Sequence, residues 1–410
     1  MCGIAGEVRF AASGTPADWR EISRLMVRRG PDDAGAWCDE RCNLVFRRLA
    51  ILDLSSAGHQ PMLSADGRYV LVFNGEVYNF LELRRQLEQK GVSFRSHSDS
   101  EVVLYSLVEW GREALERFNG MFALGFYDTR ERRLLLARDH AGIKPLYYMR
   151  HADGVMFASQ YDQLLAHPWS RGLRYCAEAA TLYLHLAAVP APYGILDNTF
   201  MLEPGSWLEV DGSGRTSSGR YFQLPLRQPP TLRGEEAFEA VDAAITSAIK
   251  RQLISDVPVG AFLSGGIDSP LVCAKMQQVS SSGMHAFTVG TTDEALDESA
   301  DASRYARELG IEQTVERASA DDALSLLDDV VAACGEPLGD FSIFPTLLVS
   351  RLARKHFTVM LSGDGGDELF WGYARHFGAL MDGVGDFCHS RSWRRMMRVV
   401  RRLSGSGKGG

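Results

Sequence analysis

A cysteine directly follows the first methionine in the run Met1-Cys2-Gly3-Ile4-Ala5-Gly6. Cysteine is small enough for Met1 to be trimmed, and the expected mature chain then carries a thiol and a free α-amine on one residue, Cys2. A thiol is a strong nucleophile but only a few per cent thiolate near neutral pH. An α-amine, with an ordinary pKa of about 7.7–8.0, is partly unprotonated there. It can take the thiol proton directly or through a water. Cys2 alone fits equally a small apolar residue opening a strand. Residues further along the chain decide between the two.

A second chemical constellation stands far downstream. Ser264-Gly265-Gly266-Ile267-Asp268-Ser269 lies between an apolar run and a helical pattern. Glycines let backbone N–H groups approach a phosphate, and the start of the following helix favours an anion. Ser264 and Ser269 add hydroxyl donors. Asp268 would repel phosphate, so its chemistry suits a Mg²⁺ ligand. The string lacks the Gly-x4-Gly-Lys-Ser/Thr order of a Walker loop. It resembles the pyrophosphate-binding loop of ATP pyrophosphatases, which split ATP into AMP and pyrophosphate. A second loop, Ser362-Gly363-Asp364-Gly365-Gly366-Asp367-Glu368, follows an apolar run ending at Leu361. It again puts glycines and acids at a strand's C-terminal edge, where open α/β sheets bind ligands.

The elements that must position these residues follow from periodicity. Tyr69 to Phe73 reads as a short apolar strand, ended by the turn signal Asn74-Gly75. Phe80 to Lys90 has helical spacing, with Asn79 as N-cap and Gly91 as stop. Ser100 to Phe118 reads as a second helix with a weak point at Gly111. Met121–Asp128 with Arg133–Arg138, and Leu146–Tyr148 with Val155–Phe157, read as hairpins, the latter around Asp153-Gly154. A proline-containing stretch from Pro225 to Gly234 reads as linker. Beyond it, a helix from Glu235 to Leu253 precedes a strand from Val259 to Leu263. Strand and helix then alternate through Ala286–Val289, Asp301–Leu309, Gln313–Glu316, Ala320–Ala333, Thr346–His356 and Phe357–Leu361. That alternation predicts a parallel sheet covered by helices.

Bulk composition excludes several classes. The 410 residues suffice for two or three domains. A net charge of -8 carries no global signal for nucleic acid. No apolar run approaches the roughly 20 residues of a membrane span, and the first residues lack a secretory pattern. Seven cysteines in this length make no disulfide scaffold. Cys38 and Cys42 are read as buried or half-buried free thiols rather than a zinc site, and the expected compartment is the cytoplasm.

The chain resembles the glutamine-hydrolysing asparagine synthetases of the bacterial type, within the class II glutamine amidotransferases. The resemblance runs from Cys2 to about Tyr373 and rests on Arg29-Gly30-Pro31-Asp32, Asn74-Gly75-Glu76, Ser98-Asp99-Ser100-Glu101, Gly120-Met121-Phe122-Ala123, Arg138-Asp139-His140, Gly142-Ile143-Lys144-Pro145-Leu146-Tyr147 and both glycine loops. It implies an α+β N-terminal-nucleophile glutaminase sandwich over residues 2–220, a linker at 221–234, and an α/β parallel-sheet domain over 235–410. That second domain is of the ATP-pyrophosphatase-like (adenine nucleotide α-hydrolase) kind. Carried over, Cys2 attacks the glutamine amide, and the Asn74 side chain with the Gly75 N–H forms the oxyanion hole. Arg48 grips the α-carboxylate, although a two-residue period leaves open whether Arg48 or Arg47 points inward. Glu76 and Asp99 hold the α-ammonium. Ser264, Gly265, Gly266, Asp268 and Ser269 bind pyrophosphate, with Ser362 beside them. Leu263, Val289 and Gly363 line the adenosine pocket. Asp268 and Asp367 hold Mg²⁺, and Asp364 sits near the activated intermediate, where the family often has Glu.

The implied reaction adenylates the aspartate β-carboxylate with ATP and displaces AMP with glutamine-derived ammonia. The implied partners are glutamine, aspartate and ATP, with no nucleic acid, no membrane span and a homodimer as the assembly. Arg28 and Trp371 depart from the family pattern, as does Pro270. The family's later Arg-x-Pro-aromatic-Leu-Asp segment and lysine are missing, so the second domain is expected to be C-terminally incomplete. A basic amphipathic helix at 393–403 and a Gly/Ser tail stand in their place. Two alternatives follow: an amidotransferase of this architecture acting on another carboxylate, in surface-polysaccharide or peptide natural-product assembly, or a truncated paralogue keeping only glutaminase or a regulatory binding role.

Overall fold

The computed structural model describes residues 1–11, 15–225, 231–280, 283–292, 297–340, 342–370 and 372–373. The expected basic helix at 393–403, the tail, Trp371 and residues 226–230 of the expected linker lie outside them.

Twelve strands build the first half: β1 (Gly3–Arg9), β2 (Asp33–Cys38), β3 (Cys42–Arg48), β4 (Met62–Leu63), β5 (Tyr69–Val77), β6 (Gly120–Asp128), β7 (Arg133–Arg138), β8 (Tyr147–His151), β9 (Gly154–Ala158), β10 (Thr199–Met201), β11 (Ser206–Val210) and β12 (Thr216–Arg220). Between them run α1 (Trp19–Leu25), α2 (Phe80–Gln89), α3 (Asp99–Trp110), α4 (Ala114–Arg117), α5 (Tyr161–Ala166) and α6 (Ala177–Leu186). The strands form two six-stranded sheets, in the orders β10-β8-β9-β1-β3-β2 and β12-β11-β7-β6-β5-β4.

Strand residues alternate between two cores. On β5, Val70 and Val72 join Ile4, Val8, Leu44, Phe46 and Phe157 in the layer between the sheets. Leu71, Phe73 and Val77 face the other way, onto α2 and α3. On β1 and β3, Ala5 and Val45 face α1 and α5 through Ile22, Met26 and Leu164. The result is a helix–sheet–sheet–helix sandwich. Both faces of the central strands are dry, which is why β5 reads as a continuous apolar run. Each fully buried Leu, Val or Phe contributes roughly 1.5–3 kcal/mol.

Three local expectations change. Asn74-Gly75 is not a turn: β5 continues through Val77 and pairs with β6 residue by residue. A Cβ on Gly75 would lie 2.3 Å from Met121 O, so this glycine marks a close approach of backbones. Asn79 makes no capping bond. Its side chain instead donates to Arg117 O and accepts from Asn119 N, both at 2.9 Å. The helix read from Ser100 to Phe118 starts at Asp99, capped by Ser98, and breaks at Gly111, where φ is +57°. Cys42 is buried as expected, whereas Cys38 is exposed.

The second half holds α7 (Gly234–Gln252), β13 (Val259–Phe262), α8 (Asp268–Val279), β14 (His285–Thr291), α9 (Ser299–Leu309), β15 (Glu312–Ala318), α10 (Ala320–Leu324), α11 (Leu327–Ala333), α12 (Ile343–Ala353), β16 (Val359–Leu361) and α13 (Gly366–Phe370). Its sheet has the order β15-β14-β13-β16. β13 and β14 pair in parallel across α8, with Ala261 opposite Ala286, as a strand–helix–strand unit requires. The helix read across Ala320–Ala333 is two helices, α10 and α11. Contacts divide the chain into two compact units. The first is Met1–Gly260 with Val289–Asp297 and Val315–Met360; the second is Ala261–Thr288 with Glu298–Thr314 and the residues from Leu361 onward. Among the described residues, no helix is long and apolar enough to cross a membrane.

Candidate active site

Cys2 immediately precedes β1 and packs, half-buried, at the margin of the inter-sheet core. Its Sγ faces Leu49 O at 3.7 Å. Burial pushes the thiol pKa up, while the Leu49 contact and the nearby N-terminal amine pull it down. The thiol therefore rests protonated and needs a base. That amine, carried here by Met1, is pushed down to about 5, first by burial; Cys2 opposes this, and Lys144 and Arg29 add to it. The Met1 amine is therefore unprotonated at neutral pH. Arg29 Nε donates to Cys2 O at 2.9 Å and fixes the backbone that carries the thiol.

Asn74 continues the β5 face that points into the inter-sheet layer, toward the sheet of β1. It is completely buried, yet neither its Nδ2 nor its Oδ1 has a hydrogen-bond partner. A buried polar group left unpaired costs roughly 1–3 kcal/mol, and both Asn74 atoms are available to a ligand. The Gly75 N–H lies outside the β5–β6 ladder. Tyr78 N donates to Asn119 O, and hydrogen-bonded pairs alternate along an antiparallel ladder. Gly75 and Phe122 therefore form a non-bonded pair, and the Gly75 N–H faces away from β6. Its neighbours on that edge are used: Val77 N donates to Asp99 Oδ2 at 2.9 Å and Phe73 N to Gln60 Oε1 at 2.7 Å.

Asp99 is delivered by the first turn of α3, where Ser98 Oγ accepts from Glu101 N. Burial lifts the Asp99 carboxyl to about 6, against hydrogen bonds from the Val77 and Ser100 N–H groups. Burial, then the Asp99 charge, lifts Glu76 to about 7. Burial and the neighbouring Asp99 charge thus both favour the neutral form of the Glu76 carboxyl.

Arg48, not Arg47, is the buried arginine of β3. Arg47 Nε bonds Ser23 O and Oγ instead. The Arg48 guanidinium donates to Ser55 O at 2.9 Å, to Leu52 O at 3.1 Å and to Asp53 O. Two of its five N–H groups remain for a carboxylate. Gly58 makes room for it: a Cβ there would lie 2.0 Å from Arg48 Nη2.

Sequence reading left Arg29 and Lys144 without roles. Lys144 is 5% exposed; burial pushes its pKa down and Glu76 pulls it up. Its loop is rigid because Arg138 donates to Gly142 O, Lys144 O and Leu202 O. Asp139 accepts from the N–H groups of Phe122, Ala141, Ile143 and Lys144. The signal was a lysine between glycine and proline in an otherwise turn-like string. Arg28, the departure beside Arg29, pairs with Asp329 at 2.8 Å.

In the second unit, Ser264 N donates to Ser269 Oγ at 2.9 Å, and the two hydroxyls lie 2.9 Å apart. Gly266 N donates to Ser264 Oγ, and Gly265 N to Glu298 Oε2 at 3.0 Å, a contact the sequence did not announce. The buried Leu263 donates to Phe287 O. The two glycine loops meet: a Cβ on Gly366 would lie 2.6–2.8 Å from the Asp268 carboxyl, and one on Gly363 would lie 2.9 Å from Ser269 N. Asp364 accepts from Ser362 Oγ at 2.9 Å. The Asp367 carboxylate lies against Gly372. Val289 sits on β14, in the other compact unit. Among the described residues, no group of three or more His, Cys, Asp or Glu gathers as a metal cage.

A half-buried thiol leading into the first strand of a helix–sheet–sheet–helix sandwich, with an unpartnered amide on a strand of the facing sheet, gives the first half the architecture of an N-terminal-nucleophile domain, here joined to an α/β unit with two glycine loops. Residues 1–222 match the glutamine amidotransferase domain family, and residues 240–405 match the asparagine synthase family. Glutamine-hydrolyzing asparagine synthetase 1 of Bacillus subtilis (strain 168) is 35% identical over 377 residues, covering 91% of this chain and 59% of the relative. A putative glutamine-hydrolyzing asparagine synthetase 2 of Methanocaldococcus jannaschii is 34% identical over 421 residues, 98% of this chain and 80% of the relative. A putative glutamine-hydrolyzing asparagine synthetase of Mycobacterium bovis is 35% identical over 395 residues, covering 91% and 60%. The chain belongs to the glutamine-hydrolysing asparagine synthetase family, and spans about three fifths of the length of the Bacillus and Mycobacterium relatives.

Proposed function

We propose that this protein hydrolyses glutamine at Cys2 and uses the ammonia to amidate aspartate at the expense of ATP. The observation that carries the first half is Asn74: a completely buried amide with both polar atoms unpaired, on the face that looks toward the Cys2 strand. Met1 is removed, and the Cys2 α-amine takes the thiol proton. Sγ attacks the glutamine amide carbon, and the oxyanion that develops is met by Asn74 Nδ2 and the Gly75 N–H. Two such preorganised donors contribute several kcal/mol. As the tetrahedral adduct collapses, the proton held by the amine passes to the leaving nitrogen, and ammonia departs. Water then cleaves the Cys2 thioester to glutamate. Arg48 holds the α-carboxylate, while Asp99 and Glu76 hold the α-ammonium.

For the second half, the Ser264–Ser269 loop binds the ATP pyrophosphate through its hydroxyls and through N–H groups that Glu298 and Ser264 hold in the absence of nucleotide, and Leu263, Ser362 and Gly363 flank the nucleotide. The aspartate β-carboxylate is adenylated, and ammonia displaces AMP. Asp364 lies near the activated carboxyl. Asp268 and Asp367 suit Mg²⁺, which takes one or two carboxylates together with substrate phosphates rather than a protein cage. Bound there, the ion would neutralise charge on the phosphates. The reducing cytoplasm suits an unpaired nucleophilic thiol.

The test follows glutamate, pyrophosphate and asparagine separately in glutamine, ATP, Mg²⁺ and aspartate. All three are expected, and Cys2→Ala should lose only glutamine-dependent turnover while ammonia still supports asparagine. Glutamate release without aspartate-dependent pyrophosphate would sink the synthetase half. N-terminal mass spectrometry checks the loss of Met1.

A further inference from the structure

The loop that aims Arg48 is held by a residue 203 positions away. Asp53 N donates to Asp256 Oδ2 at 2.7 Å, and Asp256 N donates back to Ile51 O at 3.0 Å. These bonds form a reciprocal clasp across Ile51–Asp53. The clasped stretch includes two of the three carbonyls, those of Leu52 and Asp53, that receive the Arg48 guanidinium. Asp53 needs the support, since its φ is +53°, in the left-handed region that asparagine and aspartate tolerate best among non-glycine residues. Its own carboxylate is occupied by Ser55 N, Ser55 Oγ and His97 N, so it cannot hold its own N–H. Ile254, two residues before Asp256, packs into the same apolar cluster as Leu52, and Arg251 pairs with Glu82 at 3.2 Å. The clasp is therefore seated by apolar contact as well as by hydrogen bonds. Asp256 lies three positions ahead of β13, the strand that runs to the Ser264 loop.

We propose that Asp256 is a positioning residue for the glutamine α-carboxylate: by clasping Ile51–Asp53 it fixes the carbonyls that aim the Arg48 guanidinium. This rests on the reading above that Arg48 grips that carboxylate. Asp256 touches no substrate, so its loss misaims Arg48 and leaves the chemistry at Cys2 intact. The experiment compares the full chain with Asp256→Ala, Asp256→Asn and Arg48→Ala. Glutaminase kcat and KM are read for glutamine and for glutaminamide, whose α-carboxyl is an amide. Asp256→Ala should raise KM for glutamine about tenfold, with kcat and the glutaminamide KM within about twofold. Asp256→Asn keeps an oxygen for the Asp53 N–H and should return KM to within about threefold of wild type. If Arg48→Ala raises the glutamine KM and Asp256→Ala does not, the clasp idea fails and the Arg48 reading stands. If Arg48→Ala leaves KM unchanged, the Arg48 reading itself fails. Equal damage to both substrates, or no recovery in Asp256→Asn, assigns Asp256 to general stability and overturns the proposal.

Discussion

Glu76→Gln should stabilise the ligand-free protein at pH 8 while weakening its hold on glutamine, two effects of opposite sign from one carboxylate. Burial, then the Asp99 charge, raises Glu76 from 4.5 to about 7. Asp99, at about 6, ionises first, so the crowding falls on Glu76. A folded pKa above the unfolded one means that the folded state keeps the proton more tightly. Its contribution to stability is full below about pH 4.5, falls as pH rises, and is lost above about pH 7. At about 1.4 kcal/mol per pH unit, that loss is ~3 kcal/mol. Glutamine at position 76 has the same shape and never ionises, so the variant escapes the loss. Thermal melts without ligand should coincide at pH 4.5, and at pH 8 the variant should melt several degrees higher. With substrate present the sign reverses. The α-ammonium supplies the missing counter-charge, and losing one charge-assisted hydrogen bond, roughly 1.5–3 kcal/mol, should raise the glutamine KM by about 10- to 100-fold. Circular-dichroism melts at pH 4.5, 6 and 8, followed by glutaminase kinetics at pH 8, measure both. A variant that melts lower than wild type at pH 8, or keeps the wild-type KM, refutes the reasoning.

Asn74→Ala should lower kcat for glutamine hydrolysis by about 10²–10³-fold, as expected for loss of one oxyanion donor. It should leave the melting temperature near wild type, because the relief of an unpaired buried amide offsets the small cavity left behind; an unchanged kcat refutes it. Gly58→Ala puts a Cβ 2.0 Å from Arg48 Nη2 and should raise the glutamine KM by roughly tenfold or more with little change in kcat, since small displacements of a positioning group are felt strongly. Asp268→Asn should abolish aspartate-dependent pyrophosphate release and spare glutamate release; loss of both would contradict separate sites.

The parts legible in the sequence were those whose physics is local. A thiol next to an amine is visible in two residues, and each glycine loop shows its donors within six or seven. Strand–helix alternation after residue 235 also appears in order along the chain, and β13, α8 and β14 fold as that order implies. Where a contact came from elsewhere, the reading shifted. Asn74-Gly75 has the composition of a turn, but Met121 O lies where a Gly75 side chain would stand, so the pair continues a strand. Ala320–Ala333 has one helical period yet forms two helices.

By itself, then, the sequence determined the glycine loops, the two-part architecture and the family resemblance, and singled out Cys2 as the candidate nucleophile. Tertiary structure alone decided that Arg48 rather than Arg47 turns inward, because a two-residue period has no phase until a core gives it one. It alone showed the Asn74 amide unpartnered, the Glu76 carboxyl raised by burial and the Asp99 charge, and Asp256 clasped to the loop under Arg48. Hydrogen-bond satisfaction and desolvation depend on every group within a few ångströms, and in this fold those groups come from strands and helices tens to hundreds of residues apart.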